Sequence, residues 1–193
     1  FNQCYNNSLQ DLDEVKAFEI NPVSVMNPSS ERMNTLRTTL HRGLFENLDF
    51  NFKNGSSNTL IYEYGTVFEK KGDTLKDINQ VGNFSCLVHG NFYDKNVHFD
   101  SVGNNLFLLK GIATNAFAML TKAKVKFIED KHSYCDVFYR VVDGKKNTVG
   151  SIGMVSDSFL KKLDISHKSN VCIMDINTSL FIEHYNHSIK VQD

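Results

Sequence analysis

The feature that most constrains this chain is a succession of short β-branched and aromatic segments that begins at Leu60 and runs nearly to the end. LIYEY, FSCLVHGNFY, VHF, LFLL, KVKFI, YCDVFYRVV and VCIMDI follow one another, and such residues suit the pleated, half-buried surface of a strand. Turn chemistry separates them at Lys71-Gly72-Asp73, Asp94-Lys95-Asn96, Gly103-Asn104-Asn105 and Asp143-Gly144. Two stretches inside this region, Ala116–Lys124 and Ser156–Leu163, read as helices. Gly150-Ser151-Ile152-Gly153 completes neither a nucleophile elbow nor a phosphate loop and reads as a glycine-loosened strand.

The first quarter has another period. Leu9, Leu12, Val15 and Phe18 recur every third residue, the pattern of one buried helical face. Asn27-Pro28 supply a cap and a first-turn proline for a second helix carrying Met33, Leu36 and Leu40, with Gly43 as its stop. Helices followed by a largely antiparallel sheet define an α+β chain with segregated layers. At 193 residues it is expected to be a single domain over 1–193, with a helical part over 1–48 and a β-rich part over 58–193.

Charge narrows the partners expected. The net charge is −1, and no Lys/Arg block exceeds two residues in sequence, so the electrostatic footprint of a nucleic-acid or membrane binder is missing and neither partner is expected. No apolar run approaches the roughly 20 residues of a membrane span. FNQCYNNS lacks the basic and apolar regions of a signal peptide, so the chain is read as cytosolic or as having lost a leader before Phe1. Cys4, Cys86, Cys135 and Cys172 are spread evenly without a CxxC pair, which disfavours a zinc site and leaves two disulfides open. Asn-rich composition, with two Pro and no Trp, points to an AT-rich viral or parasitic genome.

Asn2-Gln3-Cys4-Tyr5-Asn6-Asn7-Ser8 is the most specific local feature. A thiol becomes nucleophilic where its thiolate is stabilised, as at a helix N-terminus, and the helix read over Leu9–Phe18 places Cys4 at such a start. The general base would be a histidine oriented by a third group. His89 lies on one strand and Asp100 at the end of the next; a two-residue turn at Lys95-Asn96 makes them diagonal neighbours on one face, whereas a three-residue turn separates them. His132 with Cys135, and His184 with His187, offer weaker sets; His132 through Asp143 repeats the spacing from His89 to Asp100, but SYCDVFYRVV reads as one strand without a turn.

The Cys4 stretch resembles the cysteine box of papain-like cysteine proteases, both the ubiquitin-specific type and the nidovirus and picornaviral leader type, on Asn2, Cys4, Tyr5, Asn7 and Ser8. The resemblance implies a papain-like arrangement without zinc or another cofactor, in which Cys4 attacks a carbonyl, His89 moves the proton and Asp100 holds the imidazole. Gln3 is the oxyanion candidate. It implies a viral protease or deubiquitinase, with a viral polyprotein or ubiquitin-like protein as partner and the host cytoplasm as its place. The alternative is a secreted, glycosylated binding module of viral or parasitic origin, suggested by sequons at Asn6, Asn54, Asn83, Asn177 and Asn186 and by the even cysteine count.

Overall fold

The computed structural model describes residues 1–18, 20–91, 105–121, 124–165 and 170–179. The first quarter is mostly extended. After β1 (Asn2–Gln3) and β2 (Leu9–Gln10), α1 (Leu12–Lys16) makes little more than one turn, capped by Asp11, whose carboxylate accepts from Asp13 N. β3 (Val23–Ser24) follows, then a 3₁₀ turn at Glu31–Met33 and β4 (Thr35–Leu36). The small sheet β2-β4-β3 thus replaces the two helices expected before residue 43. A strict three-residue spacing drifts around a 3.6-residue helix; here Val15 and Phe18 are buried, while Leu9 pairs with Leu36 in the small sheet.

The first long helix is α2 (His41–Lys53), which runs through Gly43 instead of stopping there. A Cβ on Gly43 would lie 2.6 Å from the Asn6 side chain, so the glycine admits the N-terminal segment against the helix. Leu44, Phe45 and Leu48 form its core-facing stripe.

The β-rich expectation holds for most segments. β5 (Thr59–Lys70) and β6 (Ile78–His89) pair along their full length as an antiparallel hairpin. LFLL, however, is helical: α3 (Asn105–Thr121) buries Leu109, Ala113 and Phe117 at a four-residue spacing. A four-residue apolar run satisfies either period, and the longer register through Phe117 decides. β7 (Lys126–His132), β8 (Cys135–Val142) and β9 (Thr148–Val155) form a meander, α4 (Asp157–Lys162) is capped by Ser156, and β10 (Cys172–Asn177) follows. VHF and the turn at Lys95-Asn96 lie outside the described residues.

Among the described residues the main sheet has seven strands in the order β1-β5-β6-β10-β9-β8-β7. Only β1 is parallel to its neighbour. β10 enters last and closes the sheet between hairpin and meander, which explains its near-continuous apolar run: it is covered on both faces. On one face lie α2, α4 and Phe18 with Ile61, Leu87 and Ile173; on the other, α3 packs over Cys86, Val88, Ile152 and Met174. The α+β class with a mostly antiparallel sheet therefore stands. The papain-like arrangement is not reproduced, because the cysteine segment is an edge strand and not a helix start.

Candidate functional site

One row of polar side chains crosses the sheet beneath α2. Glu63 on β5 stands opposite Ser85 on β6, which stands opposite Asp175 on β10. All three take the inward parity of Ile61, Leu87 and Ile173, so an apolar layer would be expected where this row lies. Charges there need partners, because a buried, unpaired carboxylate is very costly.

The loop before α2 and the first turn of α2 supply them. Arg37 Nη1 donates to Glu63 Oε1 at 2.7 Å and its Nε to Thr66 O at 2.8 Å. Asn6 Nδ2 donates to Glu63 Oε2 at 2.7 Å, and Asn47 Nδ2 donates to Asn6 Oδ1 at 3.0 Å. At the other end of the row, Ser85 Oγ donates to Asp175, and His41 Nε2 lies 2.7 Å from Asp175 Oδ2. His41 Nδ1 meets the Tyr134 hydroxyl at 2.7 Å.

Burial opposes charge on Asp175, but the adjacent His41, the hydrogen bonds from His41 and Ser85, and the more distant His132 hold its carboxyl below the usual range. Burial, with Asp175 and Cys135 nearby, pushes the Tyr134 phenol well up, so it stays a neutral hydroxyl. The network links α2, β6, β10 and the β7–β8 hairpin. Chemically it is closed: the carboxylates are spent on internal donors, and Glu63, Ser85, His41 and Tyr134 are buried.

The residues singled out from sequence do not converge here. Cys4 follows β1, and its backbone N–H donates to Tyr62 O at 2.8 Å. Its thiol is pushed up by burial and by the Glu63 carboxylate, the reverse of the depressed value that a helix N-terminus would give. His89 ends β6, buried, opposite Thr59. With Cys4 level with Glu63, two strand spacings and four residues of rise put Cys4 and His89 roughly 16 Å apart at Cα. Gln3 is exposed on β1. Asp100 lies outside the described residues, as do His184 and His187.

His132 packs against the Tyr134 and Phe138 rings, while Asp143 sits at the far end of β8. Asp143 instead builds the β8–β9 turn, accepting from Lys145 N and Asn147 N at 2.8 Å each. The four cysteines are free thiols, and no group of three metal-ligating side chains occurs among the described residues. Gly150 has a packing reason: a Cβ there would lie 2.3 Å from the backbone oxygen of Asp175. Sequence reasoning missed Arg37, His41, Glu63, Tyr134 and Asp175. The available signal was parity, a carboxylate at the inward position of LIYEY and another within CIMDI.

A separate polar cavity of about 520 Å³ opens between α1 and α2, lined among others by Gln10, Asp11, Glu14, Arg42 and Glu46. Arg42 bridges Glu14 at 2.7 Å and Glu46 at 2.9 Å. Burial raises the Glu46 carboxyl, Arg42 partly offsets this, and Glu14 adds to it.

This helix-covered antiparallel sheet is shared with solved aminoacyl-tRNA synthetase structures. Two solved pyrrolysyl-tRNA synthetase structures from Desulfitobacterium hafniense superpose with TM-scores of 0.68 and 0.70, covering 94% and 99% of this chain and 62% and 68% of theirs. At 13% and 11% identity the likeness concerns the fold alone. A family model described as "Phenylalanyl tRNA synthetase beta chain CLM domain" matches residues 1–178, and the chain belongs to that family. It is similar to the phenylalanine–tRNA ligase beta subunit of Lactococcus lactis, 26% identical over 150 residues that make up 77% of this chain and 18% of that one. The corresponding subunit of Streptococcus agalactiae is 26% identical over 178 residues, 90% of this chain and 22% of that one. The chain spans about a fifth of the length of the curated relatives it matches.

These findings correct several expectations. The papain-like resemblance of Cys4 and its neighbours is coincidental. Viral protease, deubiquitinase and secreted binding module all give way to the synthetase family, and with them fall the ubiquitin-like and polyprotein partners. The host cytoplasm and secretion lose the premises that suggested them. The exclusion of nucleic acid, drawn from net charge, is overturned by membership in a tRNA-synthetase family. For membranes, no helix among the described residues is long and apolar enough to cross one.

Proposed function

We propose that this chain serves as a synthetase-fold module of a phenylalanine–tRNA ligase beta subunit and supports tRNA aminoacylation through assembly. The family match over residues 1–178 carries this reading. The closed polar row supports it: the groups on the α2 face of the sheet hold α2 in place, and α3 covers the opposite face. Residues 1–193 are read as one folding unit, since one core cluster joins Phe18, Leu44 and Ile61 to Phe159 and Ile173.

The test places Arg37→Ala in the full-length beta subunit of the assembled ligase. Subunit association, followed by gel filtration, and charging of tRNA with radiolabelled phenylalanine should fall together. A beta subunit deleted for residues 1–178 that still assembles and charges tRNA at the intact rate would refute the reading.

A further inference from the structure

The fold brings together four lysines that the sequence keeps about twenty positions apart. Lys124 and Lys126 lead into β7, and Lys145 and Lys146 sit in the β8–β9 turn. Lys126 pairs with Val142, the last residue before that turn, so both pairs occupy one corner of the sheet. All four side chains are exposed, and none is in an ion pair among the described residues.

Of the acidic residues nearest in the chain, Asp143 offsets at most one of the four positive charges. Asp143 is buried, with its oxygens accepting from Lys145 N, Asn147 N and Asn147 Nδ2. Asp130 holds Arg140 at 2.7 Å, and both it and Glu129 lie at least three residues along β7 from Lys126, roughly 10 Å or more, where solvent screening is substantial. A net charge near zero thus coexists with a locally basic corner.

We propose that the corner of Lys124, Lys126, Lys145 and Lys146 docks the phosphate backbone of duplex RNA without regard to sequence. Lysine is a point-charge phosphate ligand, and it is depleted at protein–protein interfaces, which rely on aromatic and arginine anchors. Gly144, Asn147 and Thr148 are the exposed neighbours in the turn, and among the described residues no exposed large apolar side chain stands beside them in the turn to stack on bases. The β8–β9 turn is fixed by Asp143, so Lys145 and Lys146 are presented from a set frame. The inference rests on lysine placement and goes beyond the assembly role proposed above; RNA binding by the chain and ligase assembly are separate measurements, so either can fail alone.

The experiment follows fluorescence anisotropy of a labelled ~20-bp RNA duplex titrated with the chain between about 50 and 200 mM salt. Four neutralised phosphates give a log–log salt slope near −3.6, or about a 10²-fold loss of affinity over that range. Lys124→Gln, Lys126→Gln, Lys145→Gln and Lys146→Gln together should weaken binding at least tenfold at the low-salt end and flatten the slope. An equally charged control with Lys16→Gln, Lys53→Gln, Lys161→Gln and Lys162→Gln should stay within about twofold of wild type, with circular dichroism confirming both folds. Equal losses in both variants, or no binding by wild type at about 50 mM salt, would overturn the proposal. So would corner-dependent binding of poly-glutamate in the absence of RNA binding, which would make the partner an acidic protein.

Discussion

The two faces of the sheet are built on different principles. Beneath α3 the layer is apolar throughout, with Cys86, Val88, Ile152, Met174 and Ile176 meeting Leu109, Ala113 and Phe117. Beneath α2, Ile61, Leu87 and Ile173 share their face with Glu63, Ser85 and Asp175. Dispersion and area burial hold the first face, and they tolerate replacement by residues of similar volume. The second face adds partners that fit in only one register: Arg37 reaches Glu63, and His41 reaches Asp175, only where α2 and its leading loop now sit. The α3 face supplies bulk stability; the α2 face specifies which helix lies where.

The largest predicted effect separates these principles. Arg37→Ala strands the Glu63 carboxylate and should cost about 3–5 kcal/mol in urea unfolding. Replacing both partners, Arg37→Met with Glu63→Leu, should recover most of that loss, since a buried pair exchanged for apolar residues is often near neutral. Phe117→Ala on the α3 face should cost about as much, roughly 3–5 kcal/mol, yet no second substitution at a polar position should rescue it. If the double variant is as unstable as Arg37→Ala, the pair does not act as a unit.

A smaller effect is expected in acid. Because the folded Asp175 carboxyl titrates below its unfolded value near 3.9, its contribution is complete above that value. It is lost as pH falls from there through the lowered folded pKa. Thermal melts of the wild type should therefore lose stability below about pH 4, and Asp175→Asn should be less stable at neutral pH with a flatter acid limb. An unchanged acid limb in that variant would place the dependence on other carboxylates.

The smallest concerns the thiols. Burial pushes Cys135 and Cys172 up to about 12, Cys86 higher still, and Cys4 up as well. Iodoacetamide near neutral pH should label no cysteine rapidly in the folded chain, with Cys4, the least buried on its edge strand, first among slow sites. Fast, stoichiometric labelling of Cys4 would mean that the strand beside Glu63 opens in solution.

The strands of the main sheet were largely legible because each carries enough β-branched and aromatic residues to bury a face whatever its partner is; LIYEY, YCDVFYRVV and VCIMDI announce themselves locally. The opening quarter was not, since Leu9, Leu12, Val15 and Phe18 fit a helix by spacing alone, and it took pairing with Leu36 to draw Leu9 into a sheet. The site suffered most. Cys4 looked chemical because its neighbours matched a short pattern, but nucleophilicity depends on the field at the sulfur, which burial and Glu63 set from elsewhere in the chain.

Sequence by itself determined the α+β class and the largely antiparallel sheet, both consequences of local residue preference and short-range turns. Only the tertiary structure decided that Glu63 and Asp175 would find Arg37 and His41 as partners, and that Lys124, Lys126, Lys145 and Lys146 would share a corner. Electrostatic energy depends on distance in space, and a sheet places residues side by side that are far apart along the chain.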